Sequence, residues 1–257
     1  MDVTQSQSMV WDLPEDPFAP LVREDDRVRV IGHRGAPVGG RPENSVPAVT
    51  EALLQGADGV EVDVWLTEDG TLVSTHDLDG LADLSSLATL PELLAAVRDG
   101  DGAQVIVEAK PVADAAVAVR TASVLADVLR SFAGNAAITV SSFDPALLAL
   151  IRAACADLPV RTALLGEKAD PVAEVVRRAH DDGHDEVHLP LVAVRRTPQA
   201  VATARSLGLS VSLWTVNGRS DLQWVAELGV DAVITDDILT AWSELDRAMG
   251  IREMVAA

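Results

Sequence analysis

Residues 59–66 read Gly59-Val60-Glu61-Val62-Asp63-Val64-Trp65-Leu66, and this stretch decides the fold. Valine and acid alternate with the strand period of two, so Glu61 and Asp63 share one face. In an antiparallel sheet that face would be wet. A central strand of a parallel barrel has no wet face, and there two like charges about 7 Å apart would cost several kcal/mol unless paired or metal-bound. A divalent cation is the simplest answer. Oxygen ligands without Cys, and with few His, indicate Mg²⁺ or Ca²⁺ rather than Zn²⁺.

Outward from this strand, short β-branched runs alternate with Ala/Leu-rich segments of helical spacing, which argues for βα units and a parallel sheet. The other predicted strands are 27–32, 104–109, 137–142, 160–165, 186–189, 210–216 and 232–235. With 59–66 they make a set that closes a barrel. Helices are predicted over 46–55, 91–97, 114–132, 145–156, 171–182, 197–207, 220–228 and 238–249, several opening on a cap or early Pro such as Asn44-Ser45-Val46-Pro47, Asp144-Pro145, Asp170-Pro171 and Thr197-Pro198. The chain therefore reads as α/β, a single (β/α)8 TIM barrel over 27–249. Residues 1–26 form an N-terminal extension laid on its surface through Trp11 and Phe18, and 250–257 a C-terminal tail. In such a barrel chemistry sits on the loops that follow the strands.

Composition narrows the partners. Forty acidic against 20 basic residues give a net charge of −20, which opposes binding to nucleic acid or to an anionic bilayer. A hydrophobic content of 48% is enough for a large core. The first residues lack the basic start and apolar run of a secretion signal, and no stretch has the length of a membrane span, so a soluble cytoplasmic protein without stable membrane association is expected. Cys155, the single cysteine, is expected in the core.

Candidate reactive groups gather at strand ends. The first strand runs into His33-Arg34-Gly35, followed by Arg41-Pro42-Glu43-Asn44 in a turn. Glu108 and Lys110 share a face at the end of 104–109, and Lys110 is one of only two lysines, the other being Lys168. A short extended run over 71–75 delivers His76-Asp77. Two histidines, three carboxylates and two cations thus converge on one barrel mouth.

These segments, in order, resemble the glycerophosphodiester phosphodiesterase family of PI-phospholipase-C-like phosphodiesterases. The resemblance is carried by His33-Arg34-Gly35, Pro42-Glu43-Asn44, Gly56 to Val64, Thr67-Glu68-Asp69-Gly70, His76-Asp77, Glu108-Ala109-Lys110, Trp214-Thr215-Val216-Asn217 and Gly229 to Asp236. It implies a metal-dependent hydrolase that cuts a small glycerophosphodiester to glycerol 3-phosphate and an alcohol. Glu61, Asp63 and Glu108 match the metal-binding positions, His33 and His76 the acid/base pair, and Arg34 and Lys110 positions that contact the phosphate. Glu43 matches a site-lining acid, and Trp214 and Asn217 would line the glycerol side. One histidine would deprotonate the nucleophile, water or a neighbouring hydroxyl, while the other protonates the leaving alkoxide.

The chain departs from the family pattern after the second histidine, where only 78–103 precede the third predicted strand, a reduced insertion. Of the remaining groups, His180 and His184 read as a solvated helix end, His188 as a residue of the barrel interior, and Asp236 and Asp237 as caps of the last helix. Competing expectations are phospholipid or lysolipid cleavage that stops at a cyclic phosphate, a barrel that binds a phosphate ligand without turnover, and a phosphosugar isomerase or aldolase, which would need a carbonyl-directed Lys or base.

Overall fold

Alternating Val and acidic residues at 59–66 form a strand that is buried from Gly59 through Val64, as a two-sided position between a barrel interior and a helix layer requires. The computed structural model of the chain describes residues 27–256 apart from 79, 80, 82, 99–101 and 133–135. The expected extension over 1–26, with Trp11 and Phe18, lies outside the described residues.

The strands are β1 (Arg29–Gly32), β2 (Gly59–Leu66), β3 (Leu72–Ser74), β4 (Gln104–Ala109), β5 (Ala137–Ser142), β6 (Val160–Leu165), β7 (Glu186–Pro190), β8 (Ser210–Trp214) and β9 (Ala232–Thr235). They run β1-β9-β8-β7-β6-β5-β4-β2-β3 in one nine-stranded sheet, and an added β1–β2 pairing closes it. Among the described residues β3 alone is antiparallel, a short arm on β2 with Val64 opposite Ser74, so the other eight strands make the parallel barrel. The helices are α1 (Val46–Leu54), α2 (Leu90–Arg98), α3 (Ala115–Phe132), α4 (Pro145–Ala154), α5 (Val172–Asp181), α6 (Leu191–Val194), α7 (Gln199–Ser206), α8 (Arg219–Leu228) and α9 (Ile238–Ala256). Each expected strand and helix is present. Two short elements, β3 and α6, are additions, and α9 continues to Ala256, beyond the Met249 at which the sequence pattern ends it.

Local signals explain several boundaries. Ser45 caps α1 by accepting from the Ala48 N–H at 3.3 Å, and Asp144 caps α4 by accepting from the N–H groups of Ala146 and Leu147. Neither Pro171 nor Pro198, which precede α5 and α7, supplies a side-chain cap; Asp170 instead accepts from the Glu167 N–H across its own loop.

The main core fills the space between strands and helices, with Val30, Val60, Val62, Val107, Val140, Val187, Val211 and Val233 meeting the apolar stripes of the helices. Cys155 belongs to it. Inside the barrel the aliphatic filling is small: Ile31, Ile106, Ala232 and Ile234, with Trp214 packed against them. Below lies a polar layer. Arg29 donates to Gln104, Gln104 Nε2 to Thr139 Oγ1 at 3.0 Å, and Thr139 Oγ1 to Glu186 Oε1 at 3.0 Å, while Arg161 Nε stands 3.3 Å from Glu186 Oε1. This connected floor closes one end of the barrel and leaves the other, at the C-terminal ends of the strands, for a site. Among the described residues no helix is long and apolar enough to cross a membrane.

Candidate active site

Strand register places the acids. Asp63 stands directly opposite Glu108 on the neighbouring strand, and Glu61 lies one inward-facing position earlier on β2. One oxygen from each of these three carboxylates lies within 4.8 Å of the others, and all three residues are buried. Lys110, two residues after Glu108, extends its ammonium to Asp63 Oδ1 and Glu108 Oε1, both at 2.6 Å.

The loop after β1 wraps around this cluster. Gly35 has φ +81°, and a Cβ there would stand 2.6 Å from the Ala48 carbonyl carbon, so only glycine lets the loop pass α1. Arg34, with φ +54°, turns its N–H onto Glu61 Oε2 at 3.0 Å. Its guanidinium reaches Glu43 Oε2 through Nη1 at 2.8 Å, with Nε 3.4 Å from Asp63 Oδ2. Asn44, also left-handed at φ +56°, donates from Nδ2 to Asp63 Oδ2 at 2.7 Å. Its Oδ1 accepts from the Asp63 N–H at 2.9 Å and from Ser74 Oγ at 3.2 Å. The side chain of Asn44 thereby locks β2 to the arm that carries His76.

The charges in this cluster are unequal. Burial, and then the neighbouring Asp63 and Glu108, hold the Glu61 carboxyl well above the usual carboxylate range. Burial also raises Glu108. For Asp63 burial acts in the same sense, but Lys110, Asn44 and Arg34 more than reverse it and its carboxyl lies below the usual range. Lys110 is raised: burial disfavours its charge, and Glu108 and Asp63 outweigh that. Glu61 Oε1 is buried with no hydrogen-bond partner. A hard divalent cation is what this donor set fits, because it would supply the missing partner and relieve the repulsion that now favours protonation.

His33 and His76 flank the same space, and each turns Nδ1 to a carboxylate: His33 to Asp236 Oδ1 at 2.7 Å and His76 to Asp77 Oδ2 at 2.8 Å. Each ring is thereby oriented with Nε2 away from its acid. The settings differ, since the His33 side chain is 19% exposed and that of His76 42%. Asp236 is braced in turn by Asn217, which donates from Nδ2 to Asp236 Oδ2 at 2.6 Å and accepts the Asp236 N–H at 2.9 Å through Oδ1. Burial opposes the charge of Asp236, but His33 and Asn217 overcome it and the carboxyl lies below its ordinary value.

A cavity of about 330 Å³ opens over these groups. His33, Arg34, Glu61, His76, Glu108, Lys110 and Trp214 line it, together with Phe143, Leu165, Lys168 and His188. Trp214 meets Phe143 edge to face at 5.7 Å between centroids, and Lys168 Nζ stands 6.0 Å from the indole centroid. Both lysines of the chain therefore face one cavity.

Glu43 and Asn217, expected to line the substrate, are not among the residues that line this cavity; Glu43 pairs with Arg34 and Asn217 with Asp236. Asp63 is not among the lining residues either; its carboxylate is held by Lys110, Asn44 and Arg34. The expectation for Asp236 is corrected. Asp237 caps α9 by accepting from the Thr240 N–H at 3.0 Å, whereas Asp236 faces His33. The usable signal was its place at the C-terminal end of a barrel strand, where acids are more often functional than capping. His184 is also corrected: it is buried, with Nδ1 3.0 Å from Thr162 Oγ1, whereas His180 is exposed. The clamp by Asn44 and Ser74 was missed because nothing local announces a contact between residues 30 positions apart.

Known proteins share this arrangement of segments. Residues 33–240 match the Glycerophosphoryl diester phosphodiesterase family. The Mycobacterium tuberculosis protein named "Probable glycerophosphodiester phosphodiesterase 1" is 32% identical over 86% of this chain and 94% of its own length. Among solved structures, glycerophosphodiester phosphodiesterase from Thermotoga maritima superposes with a TM-score of 0.67 at 25% identity, covering 83% of this chain and 96% of that one. An Oleispira antarctica phosphodiesterase in complex with the product sn-glycerol-3-phosphate superposes with a TM-score of 0.74 at 22% identity, covering 86% and 97%. A match that begins at His33 and ends past Asp236, on a barrel of the same design, means that this chain belongs to the glycerophosphoryl diester phosphodiesterase family of enzymes.

Proposed function

We propose that the cavity hydrolyses a small glycerophosphodiester to glycerol 3-phosphate and an alcohol, with His33 and His76 as the acid/base pair and a divalent cation, Mg²⁺ or Ca²⁺, held by Glu61, Asp63 and Glu108. The observation that carries this reading is the pairing of both histidines with carboxylates through Nδ1 on the wall of one cavity, next to three buried acids. The product held by the Oleispira antarctica protein has the same chemistry.

The residues divide the work as follows. Arg34 and Lys110 present positive charge to the phosphate, which a chain of net charge −20 otherwise repels. Asp236 and Asp77 keep the proton of each neutral ring on Nδ1 and leave the Nε2 lone pair for the reactants. One ring takes the proton of the attacking water through Nε2 while the other, protonated, gives one to the leaving alkoxide; where a neighbouring glycerol hydroxyl attacks instead, water opens the cyclic phosphate in a second round with the roles exchanged. Asn44 and Ser74 hold Asp63 and the His76 arm in register while this happens. When bound, the cation supplies Lewis acidity to the phosphoryl oxygens.

The test is turnover of several glycerophosphodiesters followed by phosphorus NMR. Excess chelator abolishes hydrolysis and Mg²⁺ or Ca²⁺ restores it. His33→Ala and His76→Ala each lose about 10²- to 10⁴-fold in kcat with unchanged melting curves. Full activity in chelator, or in either variant, refutes the reading.

A further inference from the structure

The two histidines are held by unlike means. The His33 N–H donates to the Thr235 carbonyl at 2.8 Å, which continues the barrel ladder, and its ring is paired with Asp236. His76 lies two residues beyond the end of β3, past the β2–β3 pair of Val64 with Ser74. Around it, the bonds from Thr75 Oγ1 to the Asp77 carbonyl and between His76 Nδ1 and Asp77 stay within the loop. Among the described residues one hydrogen bond ties residues 75–78 to the barrel: Trp65 Nε1–H donates to the His76 carbonyl at 3.4 Å.

Trp65 belongs to the strand that carries the acids. Val60, Val62 and Val64 pack into the outer core, so Glu61, Asp63 and Trp65 take the opposite face of β2 at successive positions of the strand period. At Trp65 the strand has risen past the carboxylates and pairs with Val73 of the arm, and from there the half-buried indole reaches His76. An indole N–H can only donate and a main-chain carbonyl can only accept, so the contact has one polarity. It is long for an N–H···O bond and therefore adds little to the stability of the barrel. What it sets is where the His76 main chain, and with it the ring, stands relative to Glu61 and Asp63.

We infer that Trp65 is a positioning residue for His76, its indole N–H fixing the loop that carries the ring to the strand that carries Glu61 and Asp63; this rests on the acid/base reading above. One strand then sets the distance between the ring and the carboxylates, and the exposed loop does not. A reacting group misplaced by about 1 Å can lose about 10²-fold in rate, so removing the donor should show in kcat and spare substrate affinity.

Trp65→Phe keeps an aromatic ring against the arm and removes the donor. In Mg²⁺ or Ca²⁺, with the glycerophosphodiester that the wild-type chain turns over fastest, kcat falls about 10-fold while KM stays within about twofold and the melting temperature within about 2 °C. The decisive measurement repeats the substitution in two backgrounds. In His76→Ala it costs less than about twofold, because the ring it positions is gone; in His33→Ala it again costs about 10-fold. Equal losses in the two backgrounds assign Trp65 to the general integrity of the barrel and overturn the inference, as does an unchanged kcat in Trp65→Phe alone. All rates are compared at one temperature below every melting transition, so the double-variant cycle decides even where the melting temperature shifts. Failure of the wild-type chain to turn over any glycerophosphodiester refutes the phosphodiesterase reading, and this one with it.

Discussion

Replacing Asn44 by Ala tests whether the candidate site and the stability of the barrel share one clamp. The change removes a hydrogen bond to an ionised carboxylate, Asn44 Nδ2 to Asp63 Oδ2 at 2.7 Å, of a kind that contributes about 1.5–3 kcal/mol. It also deprives the buried Asp63 N–H of its acceptor, at a cost of about 1–3 kcal/mol. Alanine at φ +56° adds about 1 kcal/mol of backbone strain that asparagine tolerates better. Because the two hydrogen bonds share a partner they do not sum fully, and about 4 kcal/mol is the expected loss. For a domain of this size each kcal/mol lowers Tm by about 2–4 °C, so the variant should melt about 8–16 °C below the parent. Thermal and urea unfolding followed by circular dichroism provide the measurement. Asn44→Gly, which relieves the strain but not the lost hydrogen bonds, should recover about 1 kcal/mol. A melting point within about 2 °C of the parent would refute the clamp. Full recovery in Asn44→Gly would show that only the backbone geometry mattered.

Asp236→Asn should cut kcat by about 10- to 100-fold with KM little changed, because the amide has one accepting oxygen where His33 and Asn217 each use one, and it carries no charge; steady-state kinetics decide, and an unchanged kcat would remove Asp236 from the mechanism. Gly35→Ala should disrupt the loop that presents Arg34, with both activity and melting point falling, since the new Cβ would press on the α1 backbone at 2.6 Å. Glu186 should impose a pH dependence on stability. Its folded value of about 2 lies below the ordinary 4.5, so its contribution is complete above pH 4.5 and is lost as pH falls from 4.5 towards 2. The stability difference between the parent and Glu186→Gln, measured by urea melts across that window, should shrink with acid, and a constant difference would contradict the assignment.

Much of the barrel could be read from sequence because its strands carry their own pattern. The Val/acid alternation at 60–64 gave both a strand and a shared face, and Glu108 with Lys110 repeated the device on β4. The arm at Leu72–Ser74 is only three residues long, and α6 only four, too short for a period to register. Candidate residues on strand ends could be picked out for the same reason, and the structure brings His33, Arg34, Glu61, His76, Glu108 and Lys110 to one cavity. Those that act through another residue were not: Asp236 and Ser74 acquire their roles from partners 203 and 30 positions away in the chain. His188 was placed in the interior by its strand period, but that its Nδ1 is buried without a hydrogen-bond partner is a three-dimensional fact.

The unequal exposure of His33 and His76 has a kinetic consequence. A proton held on His76, at the end of a short arm, exchanges directly with bulk water and with any buffer molecule that reaches the mouth. On the proposed mechanism, one held on His33, whose side chain is 19% exposed and paired with Asp236, leaves mainly by way of the reactants. Small general acids in solution should therefore be able to stand in for His76 when it is removed and fail to do so for His33. On the proposed acid/base mechanism, only one of the two rings should be open to chemical rescue.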